Sequence, residues 1–393
     1  MKLLAPLLAL VALVAAPSAR ADEPLPRKEE NVSFRNEIQL AIGKGLQWLK
    51  SQQAEDGSWS SKDHPALTAL PLLAFHREPT GRYAREKAEF LQKGYAFIRS
   101  NAKPDGGIYA TGLSNYNTSL ALTVLLTSGK PEDEPLIAKA REFIVAQQAS
   151  GMIKPELDGG IGYGPTGVSP KRQHPDLDNT LVALEALHAF RQARPTAEIA
   201  ASKDLNWKAA IEFITKCQNL PAHNPKASTD PANKGGFVYY PDFSNADPAD
   251  APAGARPLRS YGSMSYAGLL SFIYAGLGKD DPRVAAAVDW LKNNFTLETN
   301  PGMARPDNAA LGRQGLYYYY HLMAKALATA GIQKLETADG RKIHWPRELG
   351  EKLLSLQNGD GSWVNDTARW MEKDPVLVTS YCVMALEIIY HQL

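Results

Sequence analysis

Two segments some three hundred residues apart carry the same pattern. "WLKSQQAEDGSW" (48–59) and "LLSLQNGDGSW" (353–363) both pass from a helical stretch through Gln to Asp-Gly-Ser-Trp. Gln53 to Trp59 and Gln357 to Trp363 are both six residues apart. Weaker copies stand at "FIRSNAKPDGGIYA" (97–110), at "FIVAQQASG" and "LDGGIGY" (143–163), and at "FITKCQNL" and "KGGFVYY" (213–240), with a degenerate one at "WLKNNFTLETNPGM" (290–303). A chain that repeats one unit buries its core by stacking copies, so this feature sets the architecture before any other.

Each copy leads into a more apolar run. These are "HPALTALPLLAF" (64–75), "YNTSLALTVLL" (116–126), "LDNTLVALEALHAF" (177–190), "SMSYAGLLSFIYAGL" (263–277), "GLYYYYHLMAKALATAG" (315–331) and "LVTSYCVMALEIIY" (377–390). None alternates strictly, so the runs read as helices. The segments ahead of the turns, such as "RNEIQLAIGKGLQWLKSQ" (35–52), are amphipathic, with one charged face. The unit is therefore an outer amphipathic helix, a Gly-aromatic turn and an inner apolar helix, six times over. Neither end carries a polar capping repeat, which favours a closed ring over an open solenoid. The expected fold is an all-α, (α/α)6 toroid over residues 35–393.

The first residues read as an export leader. Lys2 supplies the charge, Leu3 to Ala16 the apolar run, and Ala19-Arg20-Ala21 a small-x-small cleavage site. Residues 1–21 are expected to be removed, leaving a short extension over 22–34 and an exported chain, periplasmic or secreted. No later stretch is apolar enough for a transmembrane segment. With 43 Lys and Arg against 42 Asp and Glu, and no basic run, the chain lacks the footprint of a nucleic-acid binder. Two cysteines, Cys217 and Cys382, rule out a disulfide framework. With repeat five between them, a bridge is geometrically unfavourable. The histidines have no zinc-type spacing, and there is no phosphate or dinucleotide loop. No metal and no cofactor are expected.

The Gln-to-Trp segments resemble the QW motifs of squalene-hopene cyclases and other class II terpene cyclases. The six-hairpin layout resembles the α/α toroid these share with protein prenyltransferase β subunits. The resemblance covers nearly the whole chain from residue 35. It implies a central cavity that takes a small-molecule or lipid substrate. The zinc set of the prenyltransferases is not matched: the corresponding part of repeat four reads "SYGSMSYAG", and Cys382 has no histidine beside it.

Aligning the inner runs on Thr68, Thr118, Thr180 and Thr379 puts Ala66, Tyr116, Asp178 and Leu377 at one position. The acid is peculiar to repeat three and so is not part of the repeat's construction. "DLDNT" (176–180) resembles the DxDD segment of class II cyclases, whose central aspartate protonates an alkene. The resemblance makes Asp178 the proton donor and Asp176 its flanking acid, with Asn179 in place of the last aspartate. Asp176 also fits an N-cap. Glu185, seven residues on, shares Asp178's face and needs a partner, a cavity or water. A cation formed by protonation needs aromatic faces around it. Tyr317, Tyr320 and His321 share one side of their helix, and Tyr116, Tyr261, Tyr266 and Trp370 stand near the starts of other inner helices.

Two other readings stay open. In a polysaccharide-active toroid of the lyase type, Arg259 and Arg313 would act on a uronate chain beside Asp178; both also fit rim ion pairs. In a non-catalytic module the cavity would hold a lipid or peptide, with Asp178 exposed and unpartnered. Long loops in repeats three and four would frame the mouth, where His174, Asp176, Asp178, Arg259 and Tyr261 are expected to meet.

Overall fold

The computed structural model describes residues 28–83, 87–164, 173–196, 199, 203–252 and 254–393. The expected leader, and residues 165–172 of the repeat-three loop, lie outside the described residues. Six outer helices, α1 (Lys28–Ser51), α3 (Glu89–Ser100), α5 (Glu134–Ala146), α7 (Trp207–Cys217), α9 (Pro282–Asn293) and α11 (Trp345–Leu356), alternate with six inner ones. The inner helices are α2 (Ala66–Arg77), α4 (Ser114–Ser128), α6 (Leu177–Ala193), α8 (Gly262–Tyr274), α10 (Leu316–Thr329) and α12 (Pro375–Gln392). The inner helices pack in the order α2, α4, α6, α8, α10, α12, and α12 packs back on α2. The ring is closed. A two-residue antiparallel pair, β1 (Leu335–Glu336) with β2 (Lys342–Ile343), precedes α11.

The two layers follow from the patterns that form them. Residues Ala66 to Phe75 of α2 are all buried, because an inner helix touches neighbours on every side. On α7 the buried residues include Ala210, Phe213, Ile214 and Cys217, one face only. Helix α1 is already formed at Lys28, two turns ahead of the Arg35 start expected from the sequence.

The turns carry the joints between hairpins. The Gln53 amide donates to the carbonyls of Gly57 (3.0 Å) and of Phe90 on α3 (2.8 Å). The Trp59 indole donates to Leu49 O at 2.6 Å, and the Trp59 amide donates to the Thr68 hydroxyl at 3.0 Å. Repeat six repeats this chemistry: Gln357 donates to Gly361 O and to Ala41 O on α1, both at 3.0 Å. Trp363 donates its indole N–H to Leu353 O (2.9 Å) and its amide to the Thr379 hydroxyl (3.0 Å). Thr118 and Thr180 accept the amides of Ile108 (2.8 Å) and Ile161 (2.9 Å) in the same way. The threonines on which the inner runs align thus share one structural task.

The joint of repeat six falls on α1, so it also seals the ring. Gly361 has φ +96°, and a Cβ there would stand 2.7 Å from the Lys44 carbonyl oxygen on α1. Only glycine satisfies both the left-handed backbone and the close approach. Gly361→Ala is expected to lower unfolding stability by about 2 kcal/mol or more, from strain and from loosening of the seam. Urea denaturation checks this; an unchanged midpoint would show that the seam carries no special weight. Between the same two repeats the Asn31 side-chain amide of α1 reaches Leu393 O at 3.5 Å.

Candidate active site

Helix α6 starts after His174-Pro175. Asp176 is its N-cap: the residue is extended (φ −145°, ψ 163°), and Oδ1 accepts the Asn179 amide at 2.8 Å. The Asn179 side chain then closes on both Asp176 oxygens, at 3.1 and 2.9 Å. An amide can make that clamp and a carboxylate cannot, which gives the asparagine a role of its own. Asp176 is fully buried. Burial first, and then the charge of Asp178, push it up to about 8, so it is neutral at pH 7.

Asp178 lies in the first turn and keeps partial exposure. Its Oδ1 accepts a hydrogen bond from the Tyr318 hydroxyl of α10. Its charge is felt by Tyr116 of α4, Tyr381 of α12, and Tyr163, Tyr239 and Tyr261. A side chain on α6 that bonds to α10 and whose charge reaches α4 and α12 faces the inside of the ring, since α12 stands opposite α6. Burial raises its pKa, while the Tyr318 hydrogen bond and the nearby Lys325 ammonium pull the other way. Its surroundings thus shift the acid toward its protonated form, and its conjugate base has support waiting.

Tyr318 is itself held in place. Its amide donates to Glu372 Oε1 at 2.8 Å, and Glu372 is buried with a pKa raised by desolvation to about 7. Its ring lies 5.5 Å from that of Tyr381.

A second polar layer lies one heptad deeper. Lys325 Nζ meets both oxygens of Glu185 at 2.9 Å, with only 13% and 15% of their side chains exposed. This is the partner the mid-helix glutamate required. Burial opposes both charges; the two contacts, with help from Arg77, hold Glu185 ionised.

The residues singled out from the sequence fall into three groups. Asp178, Tyr116 and Tyr261 come together, and Tyr261 also accepts a 3.2 Å hydrogen bond from Asn245. Asp176 caps the same helix beside them. His174 stands at the rim, its ring 4.2 Å from Tyr240. Others lie elsewhere. Tyr320 donates to Leu297 O and packs edge-on to Tyr317, on the outer side of α10. Tyr266 is buried against Tyr319. His321 is buried and stacks on Tyr381 at 5.2 Å. Arg259 donates to Ala304 O at 2.9 Å, and Arg313 pairs with Asp366 at 2.8 Å on the exposed rim. Trp370 is 41% exposed, under the Arg369 guanidinium at 4.5 Å. Tyr318, Tyr381 and Lys325, which sequence reasoning did not single out, are brought in by helices far along the chain. Cys217 and Cys382 are both free and buried.

The buried acid pair has a pH signature. Asp176 is held protonated in the folded chain and ionises near pH 4 when unfolded. The unfolded state therefore binds fewer protons between these values, and stability falls as pH rises from about 4 to about 8. The melting temperature is expected to drop across that window, and Asp176→Asn is expected to flatten the slope. Parallel slopes for the two proteins would contradict the assignment.

No protein-family model matches the sequence. The squalene–hopene cyclase of Alicyclobacillus acidocaldarius is 24% identical over 302 residues, covering 70% of this chain and 40% of the relative. The cycloartenol synthase of Dictyostelium discoideum is 31% identical over 109 residues, 27% of this chain and 16% of its own. The chain thus spans less than half the length of these curated relatives. Among solved structures, a variant of the type II terpene cyclase MstE from Scytonema, in complex with geranylgeranyl dihydroxybenzoate, superposes with a TM-score of 0.55 at 14% identity, over 92% of this chain and 99% of that one. A D-mannose isomerase superposes with a TM-score of 0.59 at 11% identity, over 94% and 100%. At such identities the likeness speaks to fold alone. The closed ring, the Gln-to-Trp joints and these likenesses agree on one fold, and the chain is a terpene cyclase-like α/α toroid.

Proposed function

We propose that the protein is a Brønsted-acid catalyst that cyclises a linear prenyl chain, with Asp178 as proton donor. The observation that carries this is the Asp178 carboxyl: turned to the inside of the ring, pushed toward its neutral form by burial, hydrogen-bonded by Tyr318 and with tyrosines on the neighbouring inner helices. The Asp178 proton goes to one alkene carbon, whose new C–H bond uses the π pair, and the other alkene carbon becomes cationic. A second alkene of the same chain then supplies the pair for the ring C–C bond. Loss of a proton from the last cation restores the acid, so the reaction is an isomerisation. Tyr318 and Lys325 stabilise the Asp178 carboxylate while the cation exists, and the rings of Tyr116, Tyr318 and Tyr381 face the charge. Asp176, closed off by Asn179, positions the start of α6 and raises no competing charge. The leader reading makes this an exported protein, which N-terminal sequencing of the mature chain tests.

The test is incubation with linear prenyl hydrocarbons and alcohols in D2O. A cyclic isomer carrying one deuterium at the protonated carbon is the expected product, by gas chromatography and mass spectrometry. The charged layer of Glu185 and Lys325 favours a second reading, a sugar-processing toroid. An unsaturated uronate product, with no deuterated isomer, would replace the first reading by that one. The exposed, unpartnered Asp178 of a pure binding module is at odds with the Tyr318 hydrogen bond.

A further inference from the structure

Four inner helices, α2, α4, α8 and α10, have no capping side chain of their own, whereas α6 and α12 are capped by Asp176 and Asp374. In each of the four, the next repeat supplies an oxygen to the orphan amides of the first turn. The Ala66 amide of α2 donates to Asn117 Oδ1 (3.0 Å), and the Ser263 amide of α8 to Asn300 Oδ1 (2.9 Å). The Asn115 amide of α4 donates to Tyr163 O (3.1 Å). In these three a neutral oxygen suffices. Helix α10 receives a carboxyl instead: Glu372 Oε1 accepts the Tyr318 amide at 2.8 Å. The amides of Tyr317 and Leu316 turn to the same carboxyl, and the Asn365 side-chain amide donates to Oε2. With donors on both oxygens, a glutamine here would set its own amide hydrogens against another donor.

The carboxyl is costly. Glu372 is 1% exposed, and burial works against its charge. The loop that delivers it is strained: Trp370 and Met371, just before it, have φ of 54° and 64°, a region that non-glycine side chains disfavour. Asn365 ties that loop together. Its backbone amide donates to Glu372 O (3.0 Å), and its side chain also donates to Arg313 O (2.8 Å) on the approach to α10. Three helices without such a carboxyl show that the repeat's construction does not call for one. What sets α10 apart is Tyr318, whose hydroxyl bonds Asp178 while its amide bonds Glu372.

We propose that Glu372 is a positioning residue for the acid: it fixes the first turn of α10 so that the Tyr318 hydroxyl stays on Asp178. The line runs from the rim loop of repeat six, through the backbone and side chain of one tyrosine, to the carboxyl on repeat three. Its bearing on turnover rests on the proposed cyclisation; its effect on the Asp178 carboxyl does not. A direct action of the Glu372 charge would have the opposite sign, because removing a negative neighbour makes an acid stronger.

The experiment follows the Asp178 carboxyl carbon by NMR through a pH titration of the full chain labelled at aspartate, with Asp178→Asn to assign the signal. Tyr318→Phe is expected to raise the midpoint by about one to two pH units, the worth of one hydrogen bond to a carboxylate. Glu372→Gln is expected to reproduce most of that rise and Glu372→Asp a smaller part. Added to Tyr318→Phe, Glu372→Gln is expected to contribute nothing further. Asp176 on the same helix, Tyr116 on α4, Tyr261 before α8, Lys325 on α10 and Tyr381 on α12 also interact with Asp178, and they are unchanged in every variant. A folded Glu372→Gln protein whose midpoint stays put or falls overturns the proposal, and so does a further rise in the double variant. If Glu372→Gln does not fold, Glu372→Asp decides by the same signs. Product assays beside the titration keep the two readings apart. A raised midpoint in a chain that makes no cyclic product removes the cyclase and leaves the positioning; cyclic product with an unmoved midpoint does the reverse.

Discussion

Asp178→Asn is expected to lower cyclic product formation by about 10²–10⁴-fold while leaving the fold intact. The amide has the shape of the acid and still accepts the Tyr318 hydrogen bond, but it has no proton to give to carbon. Because burial disfavours the charged form of Asp178, its replacement by a neutral amide removes a burial cost and leaves no orphaned charge. Melting temperature is therefore expected to hold or rise as turnover falls. Tyr318→Phe is the companion test. It removes the hydrogen bond that supports the conjugate base, so the acid becomes weaker and turnover drops by a smaller factor. Product from Asp178→Asn at the wild-type rate would remove the acid from the chemistry altogether.

Lys325→Met is expected to destabilise the protein by about 3–5 kcal/mol, the cost of leaving Glu185 ionised and unpaired in the ring. With side-chain exposures of 13% and 15%, water reaches the two groups too little to replace the lost contact. The double variant Glu185→Leu with Lys325→Met is expected to recover most of that loss, since two apolar side chains leave no charge behind. Chemical denaturation of the wild type, both single variants and the double variant measures the coupling. If the single and double variants unfold alike, the pair does not stitch α6 to α10.

Much of this architecture was readable from residues alone, and the reasons are local. The Gln-to-Trp turns bond to backbone groups of their own hairpin and the next, so each copy needs the same residues at the same spacing. Thr68, Thr118, Thr180 and Thr379 align because each accepts one turn amide. Asp178 stood out because the repeat makes no use of an acid at that position. The partners of the acid were not readable in this way. "LYYYYH" offers four consecutive tyrosines, and a helix turns by about 100° per residue, so the phase of α10 decides which one faces inward. That phase is set at Gly315, which caps α10 with φ 65°, and by Glu372 from the following repeat, and it selects Tyr318 over Tyr317 and Tyr320. Lys325 was hidden for a related reason: its glutamate lies 140 residues away, the same separation as Asp178 from Tyr318. One register between two helices governs both pairs, and no pattern within either helix records it.

The seam between repeat six and α1 is bonded like the other joints, and Asn31 lies against Leu393. Among the described residues, this joint is then packed no differently from the other five positions at which the ring could be opened. A gene rearranged to join residue 393 to residue 31 through a short linker, and opened instead within the exposed turn at Lys279–Asp280, is expected to yield a protein with the same melting behaviour. The bead-like units would be threaded in a new order around an unchanged wheel.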